Sequence, residues 1–480
     1  MASVDDFKKY PLWQKLLLFW THSGSEHVRD WLDGWYFDPL LVMPLLFLVI
    51  LVTAMVEDPD AVAAVFAGVV YTSPVWLPFS LALLFWIFWI RYIRFMAWFK
   101  KEYVLLEVQL PAEVEKSPLA MEVFLTALRN AGGEPTFIAR IWEGKMREIV
   151  SLEIAGNEGS VRFYMRLPKP WRNQVEARLY GQYPEAKLVE VDDYVEKVPF
   201  NLDDYNIYAT EFKKSGDVDA LPLKTYTDYK LDKDTDKPEV QVDPISNILE
   251  AMGNTRLGEH LWLQLVLRAH KNDEWYGFPG SDSYKDGAKE KINEILKSAA
   301  KRTGELSSQD EAKKTVNATP MNLSPDEKNK IELIERSLTK LTYDCGIRAA
   351  LIAKKDRGDW YTNIGPMLLL FAPFQQAGYN SMGFASGIAL LTDFNYPWQD
   401  VGNIRQNKQK RIQFRRYKER AFFYVPYDQR AAVLTVEELA TLWHFPSSAV
   451  KTPSLNRVGS RVSEAPPNLP TGPGPANLPT

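Results

Sequence analysis

The sequence predicts an α+β protein carried behind an N-terminal transmembrane helical hairpin and ending in a disordered Pro-rich tail. Three observations predict it. Two uncharged apolar runs lie within the first hundred residues. Strand-length and helix-length patterns alternate after them. Proline then dominates the end of the chain.

The 480 residues are enough for a real core without disulfide or metal staples. Apolar residues at 46% and charged residues at 25% exclude a disordered or fibrous chain. A mean hydropathy of -0.26 excludes a polytopic membrane protein but leaves room for one or two spans. The formal net charge of -4 provides no global basic field for nucleic acid. Cys345 is the only cysteine, so no intrachain disulfide can form, which fits a reducing compartment. His22, His27, His260, His270 and His444 are too scattered to suggest a zinc site by spacing, so no metal or cofactor is expected.

Residues 1–36 carry no signal peptide; MASVDDFKKY lacks a clean basic start and no cleavage site follows. Pro11–Trp20 (PLWQKLLLFW) reads as an interfacial helical segment, or equally as an ordinary soluble helix. Residues 37–100 read as a two-helix transmembrane hairpin. Leu40–Val56 and Val75–Ile90 are uncharged and, with their flanks, approach the roughly 20 residues that cross a bilayer. Both are apolar all round, which favours lipid over two buried core helices. The loop between them holds Glu57, Asp58 and Asp60. Arg91, Arg94, Lys100 and Lys101 flank the second run, and Lys8, Lys9, Lys15 and Arg29 precede the first. By the positive-inside rule both termini are expected on the cytoplasmic side of the inner membrane. Trp35, Tyr36, Tyr71, Trp76, Trp86, Trp89 and Trp98 suit an aromatic belt.

Residues 101–198 read as β-α-β-β-α-β. Strands are expected at Glu102–Leu110, Phe137–Trp142, Ile149–Ala155, Val161–Leu167 and Ala186–Val191. Helices follow Ser117-Pro118 and run along Trp171, Val175 and Leu179. That order suits a ferredoxin-like split βαβ unit. Residues 199–445 read as a second α+β unit with flexible insertions at 214–242 and 301–322. Its strands are Tyr205–Phe212, Gly258–His270 and Cys345–Ala353. Its helices follow Asp243-Pro244, cover about 285–299, and open on capping boxes at Ser324 and Thr435. Met367–Phe374 is too short to span and reads as a core helix or an interfacial patch. Residues 446–480 read as a disordered, partly polyproline tail.

No phosphate-binding loop is present: Gly378–Gly383 is followed by Phe384-Ala385, not by Lys and a hydroxyl residue. Gly383-Phe384-Ala385-Ser386-Gly387 misses the nucleophile-elbow spacing by one. Asp192-Asp193 and Asp203-Asp204 read as solvated loop acids sooner than as a carboxylate dyad. The sequence therefore points away from an enzyme. One constellation stands out. Arg405, Lys408, Lys410, Arg411, Arg415, Arg416, Lys418 and Arg420 crowd a helix-permissive stretch whose only acid is Glu419. Such a cluster suits phosphate, in nucleic acid or anionic lipid, or an acidic partner protein, or is a solvated face.

Four stretches together carry a family resemblance: EYVLLEVQLP with EKSPLAMEVFLTAL; VSLEIA through VRFYMRLPKPWRNQVEARLYGQYPEAKLVEVDDY; GEHLWLQLVLRAHKNDEW; and VLTVEELATLWHFP with VKTPSLNRV. Together they resemble the non-catalytic N-terminal region of HerA/FtsK-type conjugation ATPases. More closely, they resemble a stand-alone membrane-anchored family from type IV secretion-like loci of small-genome bacteria. The resemblance covers most of 35–470 and carries no catalytic motif. His444-Phe445-Pro446 matches a segment that precedes the motor in the full-length relatives. The resemblance thus implies a non-enzymatic membrane scaffold that docks a separate ATPase, with a homo-oligomer also open. A membrane-tethered nucleic-acid binder using 405–420 is the alternative.

Overall fold

The computed structural model describes residues 39–111, 116–129, 135–198, 201–216, 218–232, 242–271, 274–275, 278–279, 282–302, 323–355, 365–384, 402, 404–424, 431–446 and 457–458. The interfacial segment expected before residue 37 and the insertion after Arg302 lie outside them.

Helix α1 covers Pro39–Glu57 and α2 covers Pro59–Phe99. The loop expected between the apolar runs is mostly helix. Asp58 caps α2, its carboxylate accepting from the Ala61 amide at 2.9 Å, and Pro59 fills the first position, where no amide is needed. The Ala-rich stretch that follows, AVAAVFAGVV, offers no Pro or charge to stop propagation. Pro74 and Pro78 sit inside the same helix. Among the described residues α2 alone is long and apolar enough to cross a membrane. Its 41 residues extend about 60 Å at 1.5 Å each, twice the hydrocarbon thickness of a bilayer.

After α2 come β1 (Tyr103–Pro111), α3 (Pro118–Arg129), α4 (Phe137–Trp142), β2 (Ile149–Asn157), β3 (Ser160–Pro168), α5 (Arg172–Gln182) and β4 (Lys187–Glu190). Next are β5 (Tyr205–Lys214), α6 (Ile245–Gly253), β6 (Glu259–Ala269), β7 (Glu274–Trp275), β8 (Phe278–Pro279), α7 (Ser283–Arg302), α8 (Pro325–Thr339) and β9 (Thr342–Lys354). Last are β10 (Met382–Phe384), α9 (Ile404–Glu419), β11 (Ala432–Thr435), α10 (Val436–Leu442) and β12 (Arg457–Val458).

Ten strands make one sheet in the order β10-β5-β9-β6-β2-β3-β1-β12, with β4 also beside β1 and β11 beside β9. Every pair in it is antiparallel except β1 with β12. The units expected at 101–198 and 199–445 meet inside this sheet. Leu152 of β2 lies opposite Leu265 of β6, and Glu153 opposite Gln264. Glu158 and Gly159 both take positive φ and close the β2–β3 hairpin in two residues, the turn whose twist suits antiparallel strands.

Three expectations are corrected. Phe137–Trp142 is a helix, not a strand, because the Thr136 hydroxyl accepts from the Ala139 amide at 3.3 Å and starts a turn. Six residues, five of them apolar, are too few for a period to separate the two. The described part of 214–242 is packed, not a free linker: Ala220, Leu223 and Tyr226 are buried, and the Tyr226 hydroxyl donates to Glu122 at 2.6 Å. Within the tail, Arg457 and Val458 pair with Leu110 and Pro111.

Strand alternation gives the sheet two unlike faces. Leu152, Ile154, Phe163, Leu263, Leu265 and Ile347 point to one, a fully apolar core closed by α3, α5, α6 and α10. Met367, Leu370, Phe371 and Phe374 are buried there too, so that segment is core. Trp443 and Phe445 pack edge-on against Phe163, which ties the end of the chain's second half into the first. The opposite face carries Glu153, Gln264, Arg348 and Glu211, all buried.

At the end of β6, His270 sits between two carboxylates. Its Nδ1 lies 2.5 Å from Asp344 of β9, and its Nε2 lies 3.4 Å from Asp282 just before α7. Burial opposes the imidazolium, but the hydrogen bonds and charges of Asp344 and Asp282 outweigh it and raise the His270 pKa above its usual 6.5. A raised folded-state value means stabilisation that is complete below pH 6.5 and is lost as pH rises through the raised value. Urea unfolding of His270→Asn across pH 6–9 should therefore show a deficit against the wild type that shrinks as pH rises. A deficit independent of pH would contradict the charged His270.

Candidate functional site

The basic segment expected at 405–420 is helix α9, laid across the polar face of the sheet. Its end sets the geometry. Arg420 has φ +52°, the left-handed region that normally selects glycine. Its amide donates to Tyr417 O at 3.1 Å and the Ala421 amide to Arg416 O at 3.0 Å, which closes the helix in a Schellman motif. An arginine at that position carries a backbone cost, so its side chain has to compensate.

The compensation comes from the strand below. Arg420 donates to Glu153 through Nε and Nη2, each at 2.9 Å, in a bidentate pair. It also donates to both oxygens of Asp193. Arg420 and Glu153 are 1% and 0% exposed, so the pair is fully out of water. Glu153 accepts in addition from Ser151 at 2.6 Å, Gln264 at 3.3 Å and the Tyr194 hydroxyl at 2.7 Å. Tyr194 and Tyr417 join their hydroxyls at 2.8 Å. Burial, then the neighbouring Glu153 carboxylate, pushes both phenols far above their usual range. Burial alone would raise the Asp193 carboxyl, but the Arg420 charge and hydrogen bonds hold it below its usual value.

A second arginine extends the lattice. Arg348 of β9 donates to Glu211 of β5 at 2.8 Å and to Gln264 at 3.3 Å. It also donates to the carbonyls of Arg416 and Ala421, each at 2.9 Å. The Arg416 carbonyl belongs to the last turn of α9, where the helix dipole is negative and a cation is favoured, and the Ala421 carbonyl lies just past it. Four central strands and the 193–194 turn are thus fastened to one helix end.

The chain then delivers Phe422, Phe423 and Tyr424 to the rim of the sheet. Gly346 makes room for Phe422; a Cβ there would lie 2.4 Å from the ring. Tyr424 stacks on Trp98 of α2 at 4.3 Å, and Trp98 also meets Tyr103 at 5.3 Å. Ile90, Arg91, Ile93, Phe95 and Trp98 are all buried, so the end of α2 is packed against the rest of the fold.

The eight basic candidates divide by direction. Arg420 and Arg416 face the sheet, Arg416 lying 4.0 Å from Glu211 at 12% exposure. Lys410 lies over the Tyr208 ring at 5.7 Å. Lys408, Arg411, Arg415 and Lys418 form an outward stripe at spacings of three, four and three. Arg415 pairs with Glu419 at 2.8 Å, and Lys418 lies 3.5 Å from Glu196. The Arg405 side chain lies outside the described residues. Of the four residues expected to flank the membrane, Arg91 is buried, Arg94 is half-buried, Lys101 pairs with Glu148 at 2.9 Å, and Lys100 is exposed.

The lattice residues Glu153, Gln264, Arg348 and Glu211 are not among the candidates the sequence offers, and Asp193, expected as a solvated loop acid, is bound to Arg420. Their trace was there: polar residues at alternate positions of otherwise apolar strands. Among the described residues no group of His, Cys, Asp or Glu is placed to hold a metal ion. A shallow concavity elsewhere is lined by Thr225, Asp228, Arg336 and Glu437, with Arg336 and Glu437 hydrogen-bonded to each other.

Removing one partner of such a buried pair strands the other charge, at a cost of about 3–5 kcal/mol. Arg420→Met and Glu153→Met should each lower the stability of the detergent-solubilised chain by that order. The double variant should lose far less than the sum, a coupling a double-mutant cycle in urea measures directly. Additive losses would contradict the lattice.

No protein-family model matches the chain and no curated protein is similar to it.

Proposed function

We propose that the protein is a non-enzymatic, membrane-anchored scaffold of a type IV secretion-like translocation machine, docking a separate ATPase of the HerA/FtsK type. One observation carries the reading. The helix fit to cross a membrane does not end in a linker; Ile90, Arg91, Ile93, Phe95 and Trp98 in its last ten residues are buried, and Trp98 and Phe99 pack with Ile149, Val266 and Ala421–Tyr424. A rigid connector suits a platform that transmits load or position. α1 would supply a second crossing, which would place both termini on the cytoplasmic side of the inner membrane.

The strand order β4-β1-β3-β2 with α3 and α5 supports a ferredoxin-like unit, and the neighbouring order β5-β9-β6 resembles half of a second. Such units commonly associate with partners or with each other. The polar face supports a bracing role, since its carboxylates and guanidinia are engaged with each other.

The alternative, a membrane-tethered nucleic-acid binder, is favoured by the stripe Lys408, Arg411, Arg415 and Lys418. Charge reversal separates the two. Lys408→Glu with Arg411→Glu avoids the inward-facing Arg416 and Arg420, whose loss would undo the seat of α9. A scaffold extracted in detergent should retain its ATPase after that double reversal. A nucleic-acid binder should bind DNA in a salt-dependent manner and lose about two phosphate contacts, flattening the log-log salt slope by roughly 1.8. Failure to recover an ATPase, together with that flattening, would overturn the scaffold reading.

A further inference from the structure

Helix α4 is a six-residue helix that turns its apolar side chains outward. Phe137 is 42% exposed, and Ile138 and Trp142 are each 64% exposed, while only Ala139 is buried. Three large apolar side chains facing water on one short helix are unusual unless something covers them.

The helix is held at a defined height on α2. Trp89 Nε1 donates to Ile141 O at 2.9 Å. The Trp89 and Trp142 rings meet edge to face at 5.7 Å, and Phe85 stacks on Trp89 at 6.2 Å. Just after α4, Gly144 at φ +66° lets the backbone rest on α2; a Cβ there would lie 2.3 Å from Ile93 O. Neither contact leaves freedom to slide along α2.

That height is where the continuous exposed apolar surface of α2 ends, with Tyr92 alone exposed beyond it. Phe79, Leu81, Leu83, Leu84 and Phe85 are exposed, whereas Ile90 and Arg91 are buried. Trp89 precedes Arg91 by two residues, about 3 Å along the axis. Tryptophan beside the first arginine marks the headgroup level of a crossing helix. The outward side chains of α4 continue this apolar surface sideways, and Glu143 and Lys145 form an exposed pair at its edge.

We propose that α4 is an interfacial foot, which lies in the headgroup layer of the bilayer crossed by α2 and inserts Phe137, Ile138 and Trp142 among the lipids. This rests on the reading of α2 as a membrane-crossing helix. The foot would fix the depth and tilt of the soluble body, because α4 and the end of α2 grip the membrane at two points.

The test uses the full chain reconstituted into phosphatidylcholine vesicles, with single introduced cysteines carrying an environment-sensitive fluorophore. The native Cys345 is buried and stays unlabelled. Labels go at Ile138→Cys, at Phe79→Cys on α2, and at Lys187→Cys on the exposed side of β4 as the water control. Lipids carrying a quencher near the headgroup or deep in the acyl chain report depth. The expected result is that the Ile138 label is quenched several-fold more strongly by the shallow quencher than by the deep one, the Phe79 label by the deep one, and the Lys187 label by neither. An Ile138 label that behaves like the Lys187 label, with Phe79 still quenched, would overturn the foot and leave α2 in the membrane. A Phe79 label that is not quenched would overturn the membrane reading and the foot with it. An Ile138 label shielded from both lipid and water, more so at high protein-to-lipid ratio, would assign the patch to a second copy and overturn the proposal.

Discussion

The pair between Arg420 and Glu153 is the constraint on which the rest of the arrangement hangs. Both side chains are out of water, so neither charge is tolerable alone. Arg420 holds a left-handed backbone that glycine would adopt more cheaply, and the pair is what keeps it there. From that corner the chain turns into Ala421–Tyr424, and Tyr424 receives Trp98. A buried ion pair in the middle of a sheet therefore determines where a membrane-length helix is attached.

Low dielectric gives such a lattice its directional force. Isolated, each charge would cost several kcal/mol to bury. Gathered together, Glu153, Asp193, Glu211, Arg348 and Arg420 satisfy one another, with Gln264, Tyr194 and Tyr417 filling the remaining positions. An apolar face would hold α9 as firmly but not in one orientation, because apolar contact has no direction. This is a rationale for placing charge under a helix end that must deliver three aromatic residues to one rim.

Local chemistry made much of the fold legible in the sequence. The alternation of Leu261, Leu263, Leu265 and Leu267, the Ser324 and Thr435 capping boxes, and the Glu158-Gly159 turn each depend on neighbours a few residues apart, and both capping boxes open helices where the sequence places them. What escaped depends on distance. Glu153 and Arg420 are 267 residues apart in sequence, so nothing near either announces the other. Counting charge in 405–420 could not say which cations face inward, though the three-four-three spacing of Lys408, Arg411, Arg415 and Lys418 was present. Phe137–Trp142, five apolar residues and one arginine, is too short for a decisive period, and its capping Thr136 is a weaker cue than a full capping box.

The central claim is that α2 and the sheet move as one body through the Trp98–Tyr424 seat, held by the ion lattice. A distance distribution between spin labels at Leu81→Cys on the exposed face of α2 and Glu332→Cys on α8 measures this in reconstituted vesicles. The account predicts one narrow distance in the wild-type background and a broad distribution once Arg420→Met is added. A broad distribution in both, or a narrow one that survives loss of Arg420, would contradict it.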